Sequence, residues 1–90
     1  MVRIELVPDL SHCIEAVARK EYENLVRSYL QAGKGSSEFE DKVEILRSFL
    51  ESADFRKLRQ QSEECMLKGK TVKFILYREC GKAKYKMLMS

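Results

Sequence analysis

The 90-residue sequence has no apolar run of the roughly 18–20 residues that a membrane-spanning helix needs, and we expect no cleavable signal peptide at its start. It has one histidine and three cysteines, which are widely spaced and form no Cys-x-x-Cys pair. Zinc sites usually show short chelating pairs, and disulfide frameworks an even number of cysteines. We therefore expect a cytoplasmic protein with reduced thiols, no metal or other cofactor, and no membrane partner.

The residue groups that catalysis requires are also missing. Cys80 lies between Arg78 and Lys82, whose charges favour the thiolate, but the only histidine is distant in the sequence. The glycine-containing stretch at residues 33–37 lacks the spacing of a phosphate-binding loop, and acidic residues follow it in the next helical turn. No pair of carboxylates is placed for acid–base chemistry. We expect no catalytic residues and no enzyme, and the reactivity of Cys80 stays open.

The N-terminal part predicts one strand followed by a long helix. Apolar and charged residues alternate over residues 2–6, as in a half-buried strand, and Pro8 ends this pattern. Apolar residues then recur at helical spacing from Leu10 to Tyr29. The expected cap residues of this helix are Asp9 or Ser11 at its start and Gly33 at its end.

Two shorter helices are predicted next. Ser37 and Glu40 have the spacing of a capping box at the start of the second helix. The apolar stripe of that helix and the stripe over residues 55–66 differ in direction by roughly 130° around a helix axis. One straight helix cannot bury both stripes. We therefore expect a break at residues 52–54, with Ser52 or Asp54 as the cap of the third helix.

The C-terminal segment, residues 70–90, predicts a β-hairpin with Cys80-Gly81 as a two-residue turn. One face of this hairpin is apolar apart from Arg78, and we expect it to lie under the helices. A slip by one residue would place lysines on that face, so the apolar pattern selects the register. The apolar face holds Val72, Phe74, Leu76, Ala83, Tyr85, Met87 and Met89. The opposite face holds Lys73, Ile75, Tyr77, Lys82, Lys84, Lys86 and Leu88.

These elements predict an α+β fold in the order β-α-α-α-β-β, as a single domain over residues 1–90. An isolated hairpin is marginally stable in water, so we expect the helices to pack on one face of a small sheet. The N-terminal strand is expected along one edge of the hairpin, although the sequence leaves open whether it joins.

The charges of the chain are divided unevenly. Residues 1–54 carry seven Lys/Arg and eleven Asp/Glu, a net charge of −4, whereas residues 55–90 carry ten and three, a net charge of +7. Such an asymmetry favours either a polyanionic partner or an assembly in which opposite halves of two copies meet.

Two basic features lie in the C-terminal half. Lysines interleaved with a tyrosine on the hairpin can hold phosphates while the ring stacks on a base, although exposed lysines also keep a sheet soluble. The third helix carries arginines, which can pair with base edges. Three helices before a hairpin also resemble the winged-helix arrangement in element order alone. The predicted nucleic-acid-binding residues are Arg56, Arg59, Lys73, Tyr77, Lys82, Lys84 and Lys86.

The sequence therefore predicts a non-enzymatic module that binds nucleic acid or another polyanion. The alternative is a protein–protein module, either a homodimer or a complex with an acidic protein. In a homodimer, two sheet faces would close over Ile75 and Leu88, or the acidic helices of one copy would meet the basic half of another.

Overall fold

A computed structural model describes residues 2–32 and 37–90 of the chain. Its elements confirm the predicted α+β order of one strand, three helices and a hairpin. They are β1 (Arg3–Leu6), α1 (Ile14–Ala32), α2 (Ser37–Ser52), α3 (Phe55–Leu67), β2 (Val72–Glu79) and β3 (Lys82–Met89). Gly33 and the side chain of Ser37 lie outside the described residues, and so do the two helix caps predicted there.

The hairpin adopts the predicted register. β2 and β3 pair antiparallel, with Tyr77 opposite Lys84 and Lys73 opposite Leu88. The turn residues Cys80 and Gly81 have φ angles of 53° and 76°. Two successive positive φ angles characterise a type I′ turn, whose twist matches that of the paired strands and which therefore fixes their alignment.

The N-terminal strand joins the hairpin, which settles the question that the sequence left open. β1 pairs antiparallel with β2, and Arg3 lies opposite Tyr77 while Leu6 lies opposite Phe74. The sheet order is β1-β2-β3, so β2 is the central strand and β3 forms one edge.

All three helices pack on one face of this sheet. The core forms where the inward side chains of the strands meet the buried sides of the helices. Its buried residues are Ile4, Leu6, Ile14, Ala18, Ile45, Leu46, Phe49, Leu58, Val72, Phe74 and Leu76. The edge strand is covered only in part, since Tyr85 stays 41% exposed although its ring lies 5.2 Å from that of Phe49.

The start of α1 differs from the prediction. Neither Asp9 nor Ser11 caps this helix, which begins at Ile14, and Leu10 is 61% exposed instead of lying on its apolar stripe. The Asp9 carboxylate accepts hydrogen bonds from the backbone N–H groups of Ser11 and His12, at 2.8 and 2.6 Å, and so forms a separate turn. Desolvation raises the pKa of Asp9, but these hydrogen bonds outweigh it and hold the pKa below its usual value of 3.8.

The boundary between α2 and α3 falls at the predicted break. Of the two candidate caps, Asp54 is the one that caps α3, because its carboxylate accepts a hydrogen bond from the Lys57 N–H at 3.2 Å. Ser62 on the buried side of α3 donates to the carbonyl oxygen of Leu58 at 2.8 Å, so its hydroxyl is satisfied inside the core. Within residues 2–32 and 37–90, no helix has both the length and the hydropathy to cross a membrane.

Candidate functional site

The sheet face away from the helices, called the open face below, carries most of the predicted binding residues. Cross-strand pairing arranges its side chains in rows that run perpendicular to the strands. One row joins Arg3, Tyr77 and Lys84, and the next joins Glu5, Ile75 and Lys86. Lys73 with Leu88 and Glu79 with Lys82 form the rows at the two ends. The open face thus carries five cations and two carboxylates, a net charge of +3.

The two carboxylates of the open face neutralise its cations weakly. The Lys73 Nζ lies 3.6 Å from a carboxylate oxygen of Glu5, and the Lys84 Nζ lies 3.7 Å from one of Glu79. All four side chains are between 42% and 56% exposed, and exposed pairs at such distances add little stability. Arg3 and Lys82 have no ion-pair partner among the residues that the structure describes. Anionic ligands therefore have access to Lys73 and Lys84, which are weakly paired, and to Arg3 and Lys82, which are not paired within the described part of the chain.

Tyr77 lies at the centre of the open face, on the middle strand. Its ring borders a hollow of about 340 Å³, and the Lys86 Nζ lies 5.8 Å from the ring centroid. Ile75, one row further along β2, is only 2% exposed although no helix covers it and it lies outside the main core cluster. The hollow is lined by Arg3, Ile75, Tyr77, Arg78, Glu79 and Lys86.

Arg78, the single charge on the helix-covered face of the sheet, is held by α2. Its guanidinium donates to a carboxylate oxygen of Asp41 at 3.0 Å and to one of Glu44 at 2.9 Å. The hydrogen bond to Glu44 is the main cause of the raised pKa of Arg78. Partial desolvation lowers this pKa, but the charges of Asp41 and Glu44 raise it further. This arginine therefore anchors the tip of the hairpin to a helix.

The structure brings together five of the predicted binding residues and separates two. Lys73, Tyr77, Lys82, Lys84 and Lys86 share the open face. Arg56 and Arg59 lie on α3, in the helix layer on the other side of the sheet. Arg59 donates to the Glu63 carboxylate at 2.9 Å, and this hydrogen bond is the main cause that raises its pKa. The two arginines therefore lie outside the open face.

Sequence reasoning missed Arg3 as a member of the basic surface. The alternation of β1 already indicated that Arg3 and Glu5 share the solvent side of that strand. It did not show which edge of the hairpin β1 would join, because β1 and the hairpin are far apart in the sequence. Only the pairing of β1 with β2 places Arg3 beside Tyr77.

The three cysteines differ in their exposure to solvent. Cys80 is exposed at the tip of the hairpin, whereas Cys13 and Cys65 are half-buried. The Cys65 thiol lies 2.9 Å from the Met89 sulfur, so it takes part in packing between α3 and β3. In the described part of the chain, no three His, Cys, Asp or Glu side chains are grouped closely enough to hold a metal ion.

Comparisons with known proteins give a family but no function. No solved structure matches this chain. An uncharacterized protein of Archaeoglobus fulgidus is 40% identical over 52 residues, which are 56% of this chain and 61% of that relative. The match thus spans about three fifths of the relative's length. The model of an uncharacterised protein family matches residues 1–86, and the chain therefore belongs to that family.

Proposed function

We propose that this protein binds nucleic acid, or another polyanion, through the open face of its sheet. One observation carries this proposal: five cations surround a central tyrosine on a face that no helix of the described chain covers. Phosphate contacts release counterions from the nucleic acid, and they require clustered positive charge more than any particular geometry.

Protection against aggregation explains only part of this surface. Lysines on an edge strand discourage pairing with another sheet, which accounts for Lys82, Lys84 and Lys86 on β3. Lys73 lies on the central strand, where no edge needs protection. Arg3 lies on the other edge strand, where the same protection applies, so Lys73 is the cation that edge protection leaves unexplained. A ligand that is attracted to the whole face accounts for all five cations.

The primary test is a titration of the protein with labelled DNA and RNA at two salt concentrations. With four phosphate contacts on a single strand, the association constant should fall by about 50-fold between 50 and 200 mM salt, since each contact contributes a slope of about −0.7. Binding that is absent at 50 mM salt, or that does not respond to salt, would end the proposal.

A variant pair localises the contact. Lys84→Gln with Lys86→Gln removes two cations from the open face, and we expect roughly tenfold or greater loss of affinity and a salt slope less steep by about 1.4. Lys20→Gln with Lys57→Gln is the matched control, because it removes the same charge from exposed positions on α1 and α3. If both double variants weaken binding equally, the interaction depends on net charge and not on this face.

Self-association is the second candidate function, and exposed apolar surface on the helices favours it. Leu30 on α1 is 72% exposed. A hollow of about 360 Å³ between α1 and α2 is lined by four apolar or aromatic residues together with Glu40, Glu44 and Arg47. A second copy of the chain is the proposed occupant, because residues 1–54, which contain this hollow, carry a net charge of −4 and the C-terminal residues carry +7. Sedimentation at high protein concentration tests this candidate, and a strictly monomeric protein contradicts it.

A further inference from the structure

The hollow beside Tyr77 offers partners for a base as well as for a phosphate group. Two of its six lining residues are the apolar Ile75 and the aromatic Tyr77, three are the cations Arg3, Arg78 and Lys86, and one is the carboxylate residue Glu79. A phosphate would be attracted by the cations at this hollow. A nucleobase would meet an apolar surface, an aromatic face and an acceptor for its amino hydrogens.

The cations nearest to Tyr77 lie on both sides of its ring. Arg3 and Lys84 occupy the same row on the two neighbouring strands, so their Cα atoms are about 10 Å apart, two strand spacings of about 4.8 Å. Phosphates on either side of a base stacked on Tyr77 would therefore each have a cation within reach. Lys86 now lies over the ring, and its flexible stem allows the ammonium group to move from the ring to a phosphate.

From this arrangement we infer that the ligand is single-stranded nucleic acid, with one base stacked on Tyr77 in the hollow between Arg3 and Lys86. The inference rests on the function proposed above and narrows the ligand from any polyanion to single-stranded nucleic acid. In a duplex, the bases are stacked on each other and paired, so a flat sheet meets only backbone phosphates. A single strand can turn one base toward the sheet while its backbone follows the row of cations.

The test compares three labelled probes at 100 mM salt by fluorescence anisotropy: a single-stranded RNA, a single-stranded DNA of the same sequence, and the DNA duplex. We expect both single strands to bind more tightly than the duplex. A preference for RNA over DNA would identify a contact with the ribose hydroxyl, and equal affinity would show that the site reads only base and phosphate. Both results support a single-stranded ligand.

Substitutions at Tyr77 separate stacking from charge. Tyr77→Leu should reduce the affinity for the single strands by about fivefold to a hundredfold without changing the salt slope, because it removes an aromatic face and no charge. Tyr77→Phe should bind like the unmodified protein. Circular dichroism and thermal unfolding establish that both variants are folded.

The outcomes distinguish the two proposals. If the duplex binds as tightly as the single strands, or if folded Tyr77→Leu binds like the unmodified protein, the base site is wrong while salt-dependent binding to the open face stands. If none of the three probes binds when the titration is repeated at 50 mM salt, the proposed function itself is wrong.

Discussion

The two faces of the sheet are built from alternate residues of the same three strands, yet they treat charge differently. On the helix-covered face the one cation, Arg78, donates short hydrogen bonds to Asp41 and Glu44. On the open face five cations share two carboxylates, and the two ion pairs have N–O distances of 3.6 and 3.7 Å. The cation that anchors the hairpin to α2 thus forms short ion pairs within the chain. The cations of the open face form weak pairs or none with the residues that the structure describes, and they are accessible to a ligand.

The largest expected effect contrasts neighbouring residues of β2 that point to opposite faces. Leu76→Ala, in the core under the helices, should lower the free energy of unfolding by about 3–5 kcal/mol. Ile75→Ala should cost about 2 kcal/mol, because flexible side chains around it can close over the gap. Denaturant unfolding of both variants measures the difference. Equal losses would show that the open face is packed as rigidly as the core.

A smaller effect is expected from the charges themselves. Arg78→Gln should lower the thermal midpoint, because it leaves Asp41 and Glu44 facing each other without their shared cation. Lys84→Gln should leave the midpoint within about 2 °C, as exposed substitutions usually do. A double-mutant cycle of Arg78→Gln with Glu44→Gln should be non-additive. Additive losses would mean that the contact contributes nothing to stability.

The turn affects both faces together, since it decides which residues point to which side. Gly81→Ala should cost about 1 kcal/mol: no atom lies near the added methyl group, so the cost arises from the φ angle of 76° alone. Cys80→Asn should be neutral or stabilising, because asparagine tolerates the positive φ that Cys80 adopts. Thermal unfolding of the two variants is the measurement, and a stabilised Gly81→Ala protein would contradict the type I′ assignment.

The smallest expected effect concerns the basic side of α3. Arg56→Gln with Arg59→Gln removes two charges, as the lysine double variant does, but from the helix layer. We expect less than about a twofold change in nucleic-acid affinity at 100 mM salt, because only long-range attraction is lost and salt screens it over about 10 Å. A loss as large as that of Lys84→Gln with Lys86→Gln would place the binding surface on α3 as well.

The hairpin could be predicted because its signals are local. The Cys80-Gly81 turn and the alternation of apolar and charged residues lie within one short segment, and the observed register matches them. The start of α1 was predicted wrongly although its signals are local too. Leu10 has helical spacing to Ile14, but the Asp9 side chain binds the next backbone N–H groups and stabilises a turn instead.

The sequence identified the residues of the open face only where they belong to the hairpin. The four lysines and Tyr77 share a face because they alternate along two adjacent strands. Arg3 joins them through pairing between distant segments, for which no local pattern exists. Arg56 and Arg59 were grouped with them by charge alone, although the prediction already placed the helices on the apolar face of the hairpin, away from the lysines.

The burial of Ile75, which points to the open face, gives ligand binding a calorimetric signature. If the lysines of the open face move their ammonium groups toward phosphates and nothing replaces their hydrocarbon stems, Ile75 becomes hydrated. Hydration of apolar surface makes the heat capacity change of binding positive. If a base takes the place of these stems, Ile75 stays buried and the apolar surface of the base is buried as well, so the heat capacity change of binding is negative. The sign of that change, measured over a range of temperatures, therefore reports what lies on the isoleucine in the complex.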